Sequence, residues 1–334
     1  MSVPGGWPAG VGVLAVFAVA CIGTWLARRY ALAHRLIDQP GARRSHTVAT
    51  PRGGGIAIVA AMVLALFLDT TWMASDRVPL AAVAIGLLLV AVVGWIDDHR
   101  PLSPWIRLAV HSVAAACLGG GLLLSGADEG VALAAAILAL VLTNVWNFMD
   151  GIDGLAASQA LLVALGCVVV GVGSRPLFLP LAMAAACAGF LPYNLPRARI
   201  FLGDVGSGAL GYLLAALVAL QAARAPSDAI LLLLPLSAFL IDAALTLGRR
   251  VLHGERWWLP HTQHAYQRWA RHCARHMLVT SAYAAWTAVM LLNLWVASGR
   301  GTPVKMLVLS GSFLVGAITW TWLQRTPHPP GDRE

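Results

Sequence analysis

The sequence predicts an all-α, polytopic integral membrane protein of about 10–11 transmembrane helices. Three observations predict it. The chain is 59% hydrophobic and 11% charged, with a mean hydropathy of +0.74, outside the range of soluble domains. Apolar stretches of about 20 residues, the length a helix needs to span a bilayer, recur along it. Carboxylates, which cost roughly 2.5–3.5 kcal/mol at the centre of a membrane helix, crowd the ends of those stretches.

In chain order the spans fall at 7–27, 53–69, 79–96, 105–125, 131–149, 155–173, 176–193, 207–223, 228–247, 277–297 and 303–324. The first is read as a retained anchor, because residues 1–6 carry no basic stretch and no cleavage site follows. The second opens on Gly53-Gly54-Gly55 and the third closes on Asp97-Asp98. The fifth ends in an Asn- and Asp-rich run, and Asp204 stands just before the eighth. These spans make one polytopic domain over 1–324. The tail 325–334, rich in Pro and charge, is expected to be disordered. Cys21, Cys117, Cys167, Cys187 and Cys273 form no CxxC pair and read as small buried hydrophobes.

Orientation follows from the basic residues. With residue 1 outside and the C-terminus in the cytoplasm, all but five of the 23 Lys and Arg fall inside. The exceptions are Arg77, Arg175, Arg224, Arg300 and Lys305. The net charge of +8 is then a topology signal and implies no nucleic-acid partner. A multi-pass membrane location is expected.

This orientation sorts the carboxylates. Asp97, Asp98, Asp150, Asp153 and Asp204 all reach the cytoplasmic side, with Asp38, Glu255 and the inner end of the span holding Asp242. Asp69, Asp76, Asp128, Glu129 and Asp228 fall in short outer linkers. A transporter would hold its ionisable groups near the bilayer midplane. A layer at one face favours an enzyme with its active site at the cytoplasmic face.

The cytoplasmic loops supply the chemistry. Asp38 to Gly55 carries Arg43, Arg44, His46 and Arg52, which suit phosphate oxygens. The same residues also suit a plain positive-inside loop. Its triple Gly lets a helix start lie close to another backbone or to a ligand. Asp97 and Asp98 are adjacent carboxylates at a helix C-terminus, an unfavourable place for anions, so one of them calls for a nearby cation or a raised pKa. Asn144, Asn147 and Asp150 are three apart and share a helix face, where their oxygens suit Mg²⁺. A polar helix–helix contact is the alternative. Asn194 precedes Gly203-Asp204-Val-Gly-Ser207, whose glycines allow backbone approach to a pyrophosphate. Gly206 to Gly211 spells GxGxxG but follows no strand, which excludes a dinucleotide fold.

The loop from Gly248 to His276 holds Trp257-Trp258, His261, His264, Arg268 and Arg271. Its residues fit phosphate better than zinc, which would need Cys or Glu at matching distance. An amphipathic interfacial helix is a second reading, compatible with the first. Asp242 either pairs with Arg249 or Arg250 or shapes the substrate site. His111 reads as a packing residue. Lys305 is the only Lys and lies outside, so cationic site contacts must come from Arg or His.

Four ordered motifs, Asp97-Asp98, Asn-x-x-Asn-x-x-Asp-Gly at 144–151, Gly-Asp-x-Gly-Ser at 203–207 and the late His pair, resemble the polyprenyl-phosphate N-acetylhexosamine-1-phosphate transferases. The resemblance covers Asp38 to about Tyr266 and is nearest to the WecA- and WbpL-like branch of glycosyltransferase family 4. It implies transfer of a sugar 1-phosphate from a UDP-N-acetylhexosamine to undecaprenyl phosphate, with release of UMP, at the start of O-antigen or related surface-glycan synthesis. Mg²⁺, with Mn²⁺ as the substitute, is the implied cofactor, and Asn147 and Asp204 are its implied ligands. Asp97, Asp98, Asp150 and Asp153 are implied to be catalytic. Arg43, Arg44, His46, Arg52, Asn144, Asn194, His261, His264 and Arg268 are implied to bind substrate.

The peptidoglycan branch, acting on a UDP-muramoyl-pentapeptide, differs. It usually has Thr-Pro-Thr-Met-Gly-Gly where this chain has Thr50-Pro-Arg-Gly-Gly-Gly55, and consecutive histidines where this chain has His261-Thr-Gln-His264. That branch, a transporter and a scaffold subunit remain the alternatives. A homodimer is one option for assembly, and the sequence does not choose it.

Overall fold

A computed structural model describes residues 6–39, 41, 48–72, 76–171, 177–256, 258–259 and 261–325. Arg43, Arg44, His46 and Trp257 lie outside the described residues, as does the tail beyond Arg325. The elements in order are α1 (Gly6–Ala33), β1 (Ile37–Asp38), β2 (Thr50–Pro51), α2 (Ile56–Trp72), α3 (Arg77–His99), α4 (Pro104–Leu124) and α5 (Glu129–Met149). They continue with α6 (Leu155–Gly171), α7 (Phe178–Asn194), α8 (Asp204–Ala222), the short α9 (Pro226–Ala229), a 3₁₀ turn, α10 (Leu233–Leu252), α11 (Ala265–Cys273), α12 (His276–Ala297) and α13 (Thr302–Gln324).

The protein is an all-α polytopic membrane protein. Eight helices among the described residues are long and apolar enough to cross a bilayer, α9 and α10 counting as one continuous span. The helices α2, α6 and α7, of 17 residues each, are shorter but equally apolar. Alternation along the chain brings the ends of α1, α3, α5, α7, α10 and α13 and the starts of α2, α4, α6, α8 and α12 to one end of the bundle. The Arg-rich loops lie at that end.

Local signals set the helix boundaries. Ser103 accepts the Trp105 N–H ahead of Pro104, which needs no hydrogen bond in the first turn. At the opposite end Asp76 caps α3 and Asp128 caps α5, so those two acids have a structural job. Asp69 sits inside α2 and is buried, not in a linker as the sequence suggests. Two other boundaries also move. Asp204 is the first residue of α8, and α10 runs on to Leu252, past the expected loop start at Gly248.

At the centre stands α8, with every residue from Val205 to Ala219 buried. It packs on α3, α5 and α6, while α1, α2 and α7 flank one side and α10, α12 and α13 the other. Small residues let backbones approach without a side-chain spacer. A Cβ on Gly55 would stand 2.1 Å from the Gly206 Cα, and one on Gly211 2.1 Å from the Leu142 carbonyl oxygen. The GxGxxG run is therefore a packing stripe, and of the two partners open to the triple Gly the structure shows another backbone. A two-residue antiparallel ladder, Ile37 opposite Pro51 and Asp38 opposite Thr50, pins the base of the first loop.

Candidate active site

Where the loops converge, a cavity of about 560 Å³ opens among α4, α5, α8, the β1–β2 ladder and the segment before α11. That size suits a small-molecule ligand. Asp38, Arg52, Asp98, Asn144, Asn147, Asp150, Asn194, Asp204, His261 and His264 all line it.

The two adjacent carboxylates have different jobs. Asp98, almost wholly buried, accepts the N–H of Asp204 at 3.0 Å and of Val205 at 3.1 Å. It is an N-terminal cap supplied to α8 from another helix, where an anion is favoured by the exposed N–H groups. Gly203 permits this approach with φ +73°, since a Cβ there would lie 2.5 Å from the Asp98 carboxylate. This corrects one expectation. The N–H groups of Asp204 and Val205 go to Asp98, and those of Gly206 and Ser207 to the Gly203 carbonyl, so none is left to cradle a pyrophosphate.

Asp97 does not line the cavity. It lies behind Arg107, accepting from that guanidinium at 2.8 Å and from the Leu102 N–H at 2.5 Å. Its carboxyl group also stands near that of Asp204, with Arg107 reaching toward both. Arg107 reaches to 3.7 Å from Asp204, and Arg52 lies 3.8 Å from the Asp98 carboxylate while donating to its carbonyl. The pair thus holds two guanidinium groups at the cavity wall.

From α5, Asn147 donates to Asp204 and to the Ser207 hydroxyl. Asn144 donates to the Leu140 carbonyl of its own helix and lines the cavity with His111. Asp150 falls just past the helix. Withdrawal from water, and then the charges of Asp204, Asp98 and Asp153, push it up to about 8. Asp153 turns the other way, 3.3 Å from His276, and its carbonyl accepts the Thr280 hydroxyl. It ties the α5–α6 loop to α12 and is not a cavity group.

Asn194 is at the wall but committed to structure. Its amide accepts from the Gly154 N–H and donates to the Ile200 carbonyl. Arg268 also departs from expectation. It donates to the Gln324 carbonyl at the end of α13, away from the cavity. His261 is pushed down to about 4 by burial and by the neighbouring His264 and Arg250, so it is neutral at physiological pH. His264 is buried and stacks on Phe148, with ring centroids 6.2 Å apart. Asp242 pairs with neither Arg249 nor Arg250. Arg250 instead binds Glu255 and the carbonyls of Arg256 and Leu259, which folds the start of the loop.

Sequence reading missed Arg107, counted only as a topology charge, and Tyr266 and Ser207. It took His111, which lines the cavity, for a packing residue. The one usable signal was spacing. Arg107 follows Asp97 across a single helix corner, within reach of the pair.

Residues 80–222 match the model of glycosyl transferase family 4, a stretch that contains Asp98, Arg107, Asn147, Asp150 and Asp204. The chain is 27% identical to a decaprenyl-phosphate N-acetylglucosaminephosphotransferase of Mycobacterium leprae, over 92% of this chain and 86% of that one. It is 28% identical to a probable undecaprenyl-phosphate N-acetylglucosaminyl 1-phosphate transferase of Bacillus subtilis, over 73% and 72%. A phospho-N-acetylmuramoyl-pentapeptide-transferase of Acaryochloris marina is 31% identical over 59% and 61%. Over residues 80–222 the chain is similar to glycosyl transferase family 4. Arg52, His261 and His264 reach the cavity from outside the matched stretch.

The donor set decides whether a divalent cation fits. Among the described residues no three His, Cys, Asp or Glu side chains group closely enough to hold a metal by themselves. Mg²⁺ does not need such a cage, because it commonly binds through one or two carboxylates plus substrate phosphates. Beside three imidazoles the cavity offers mainly oxygen donors, its carboxyl groups outnumber its guanidinium groups, and Asp97 stands behind Asp204. Arg107 meets Asp97 at 2.8 Å but Asp204 only at 3.7 Å, so Asp204 keeps charge for a further cation. The residues of this cavity fit Mg²⁺.

Proposed function

We propose that the protein transfers an N-acetylhexosamine 1-phosphate from its UDP-sugar to a polyprenyl phosphate and releases UMP. The observation that carries this reading is one cavity, at the Arg-rich end of a membrane bundle, that joins Asp98, Asn147, Asp150 and Asp204 to Arg52 and Arg107. A lipid-borne and a water-soluble substrate can meet only at such a membrane boundary. The positive-inside rule makes that end cytoplasmic, with the N-terminus outside.

The lipid phosphate attacks the β-phosphorus of the donor, and the P–O bond to UMP breaks. Such a transfer needs in-line placement and charge neutralisation more than covalent help. Arg107, braced by Asp97, and Arg52, braced by Asp98, present guanidinium groups to phosphate oxygens. A phosphate monoester has a second pKa of about 6, so the attacking group is mostly a dianion without a base. Asp97 and Asp98 then act by holding arginines and capping α8. Neutral His261 and the wall around His264 offer hydrogen bonds to the sugar or nucleotide. Asp204 and Asn147, with Asp150 beside them, would hold Mg²⁺, which when bound supplies positive charge to the pyrophosphate and the departing UMP.

The mycobacterial and Bacillus relatives carry N-acetylglucosamine in their names, so UDP-N-acetylglucosamine is the first donor to test. Purified protein is incubated with polyprenyl phosphate, Mg²⁺ and a panel of UDP-sugars, and UMP is measured. Release that requires lipid and metal, with an N-acetylhexosamine donor preferred, is expected. Release only with UDP-muramoyl-pentapeptide would move the protein to the peptidoglycan branch. No release from folded protein would overturn the transferase reading.

A further inference from the structure

Asp242 is a carboxylate in the apolar run of α10, 2% exposed, and the transfer as described does not use it. Its surroundings are donors. One oxygen accepts the Ala265 N–H at 2.8 Å, the Thr246 hydroxyl at 3.1 Å and the Trp320 indole N–H at 3.2 Å. The other accepts the Tyr283 hydroxyl at 2.9 Å and the Tyr266 N–H at 3.2 Å. His264 stands 3.5 Å away. Only a carboxylate offers two oxygens that accept and never donate. An amide here would set its own hydrogens against a ring of donors.

These donors come from α10, α11, α12 and α13, so a single side chain gathers four helices. Ala265 and Tyr266 are the first residues of α11, where N–H groups have no partner within the helix. Asp242 supplies it. The turn it fixes carries the cavity wall, His264, Tyr266 and Gln267. Tyr266 then donates from its hydroxyl to the Phe148 carbonyl at 2.9 Å, in the last turn of α5 between Asn147 and Asp150. Gly151 leaves the room, since a Cβ there would lie 2.3 Å from that hydroxyl.

We propose that Asp242 is a positioning residue for the transferase site, seating the first turn of α11 so that His264 and Tyr266 hold the cavity wall and the end of α5 in register. The proposal rests on the reading of this cavity as the site of transfer. Asp242 touches no substrate and acts through His264 and Tyr266.

The test compares full-length Asp242→Asn, Tyr283→Phe, His264→Gln and the double variant Asp242→Asn/His264→Gln in detergent or nanodiscs. Hydrogen exchange is read by peptide, and UMP release gives kcat and KM. In Asp242→Asn, exchange over 261–273 should rise about tenfold or more while 204–222 stays as in the parent. Its kcat/KM should fall, and the double variant should be no worse than the more impaired single one, because both act through one wall. Tyr283→Phe should show the same local pattern at smaller size, and it carries the test if Asp242→Asn does not fold. Unchanged exchange over 261–273, a rise spread evenly over all helices, or defects that multiply in the double variant would overturn the proposal. If the parent protein releases no UMP from any donor, the proposed function fails, and the exchange pattern still decides whether Asp242 seats α11.

Discussion

At the scale of single residues, the cavity shows why charge alone misleads. Asp97 and Asp98 are neighbours in sequence, yet one braces Arg107 and the other caps α8. Arg107→Ala should lower kcat/KM by about 10²–10³, the usual loss when a preorganised charge contact to a transition state is removed. Steady-state UMP release measures it, and Arg107→Lys should recover only part, because an ammonium cannot match the planar fork.

Asp150 gives a pH prediction. Its folded value of about 8 lies above the ordinary carboxylate range, so the folded protein holds a proton that the unfolded chain releases near pH 4. Stability from this group is full below about pH 4 and is lost as pH rises through about 8. The melting temperature of metal-free protein should therefore fall between pH 6 and 9, and Asp150→Asn should flatten that slope. Added Mg²⁺ should stabilise the parent most at the alkaline end, where the carboxylate is free to bind it.

Among elements, the contact between α2 and α8 sets the geometry of the site. Gly55 and Gly206 meet backbone to backbone, with no side chain that could move aside. Gly55→Ala should cost about 1–3 kcal/mol by overpacking and displace the start of α8, lowering both the melting temperature and UMP release. Gly120→Ala, where a Cβ meets nothing within 4 Å, should leave both unchanged or slightly raise stability. The helix boundaries show how far local signals reach. Spans were readable because hydropathy acts over a few turns of one segment. The extension of α10 to Leu252 was not, because Arg250 is carried past the apolar run by contacts to Glu255 and to two loop carbonyls.

For the whole molecule, alternating helices carry the Arg-rich loops and the cavity to one end, while Lys305 pairs with Asp228 at the other. If that first end is cytoplasmic, a membrane-impermeant thiol reagent should label Arg256→Cys only from the inner face and Arg300→Cys only from the outer, in a background without the native cysteines. The reverse pattern would invert the topology.

The sequence by itself determined the class, the positions of the spans and the layer of polar groups at one face. Each of these depends on how a short stretch partitions between water and lipid. Tertiary structure alone decided which polar group does what. Asp98 meets α8 across more than a hundred residues of chain, Asp153 meets His276 on α12, and Asp242 gathers donors from four helices. Desolvated charges must find partners wherever the packed helices bring them, and the identity of those partners is fixed by packing and not by neighbours in sequence.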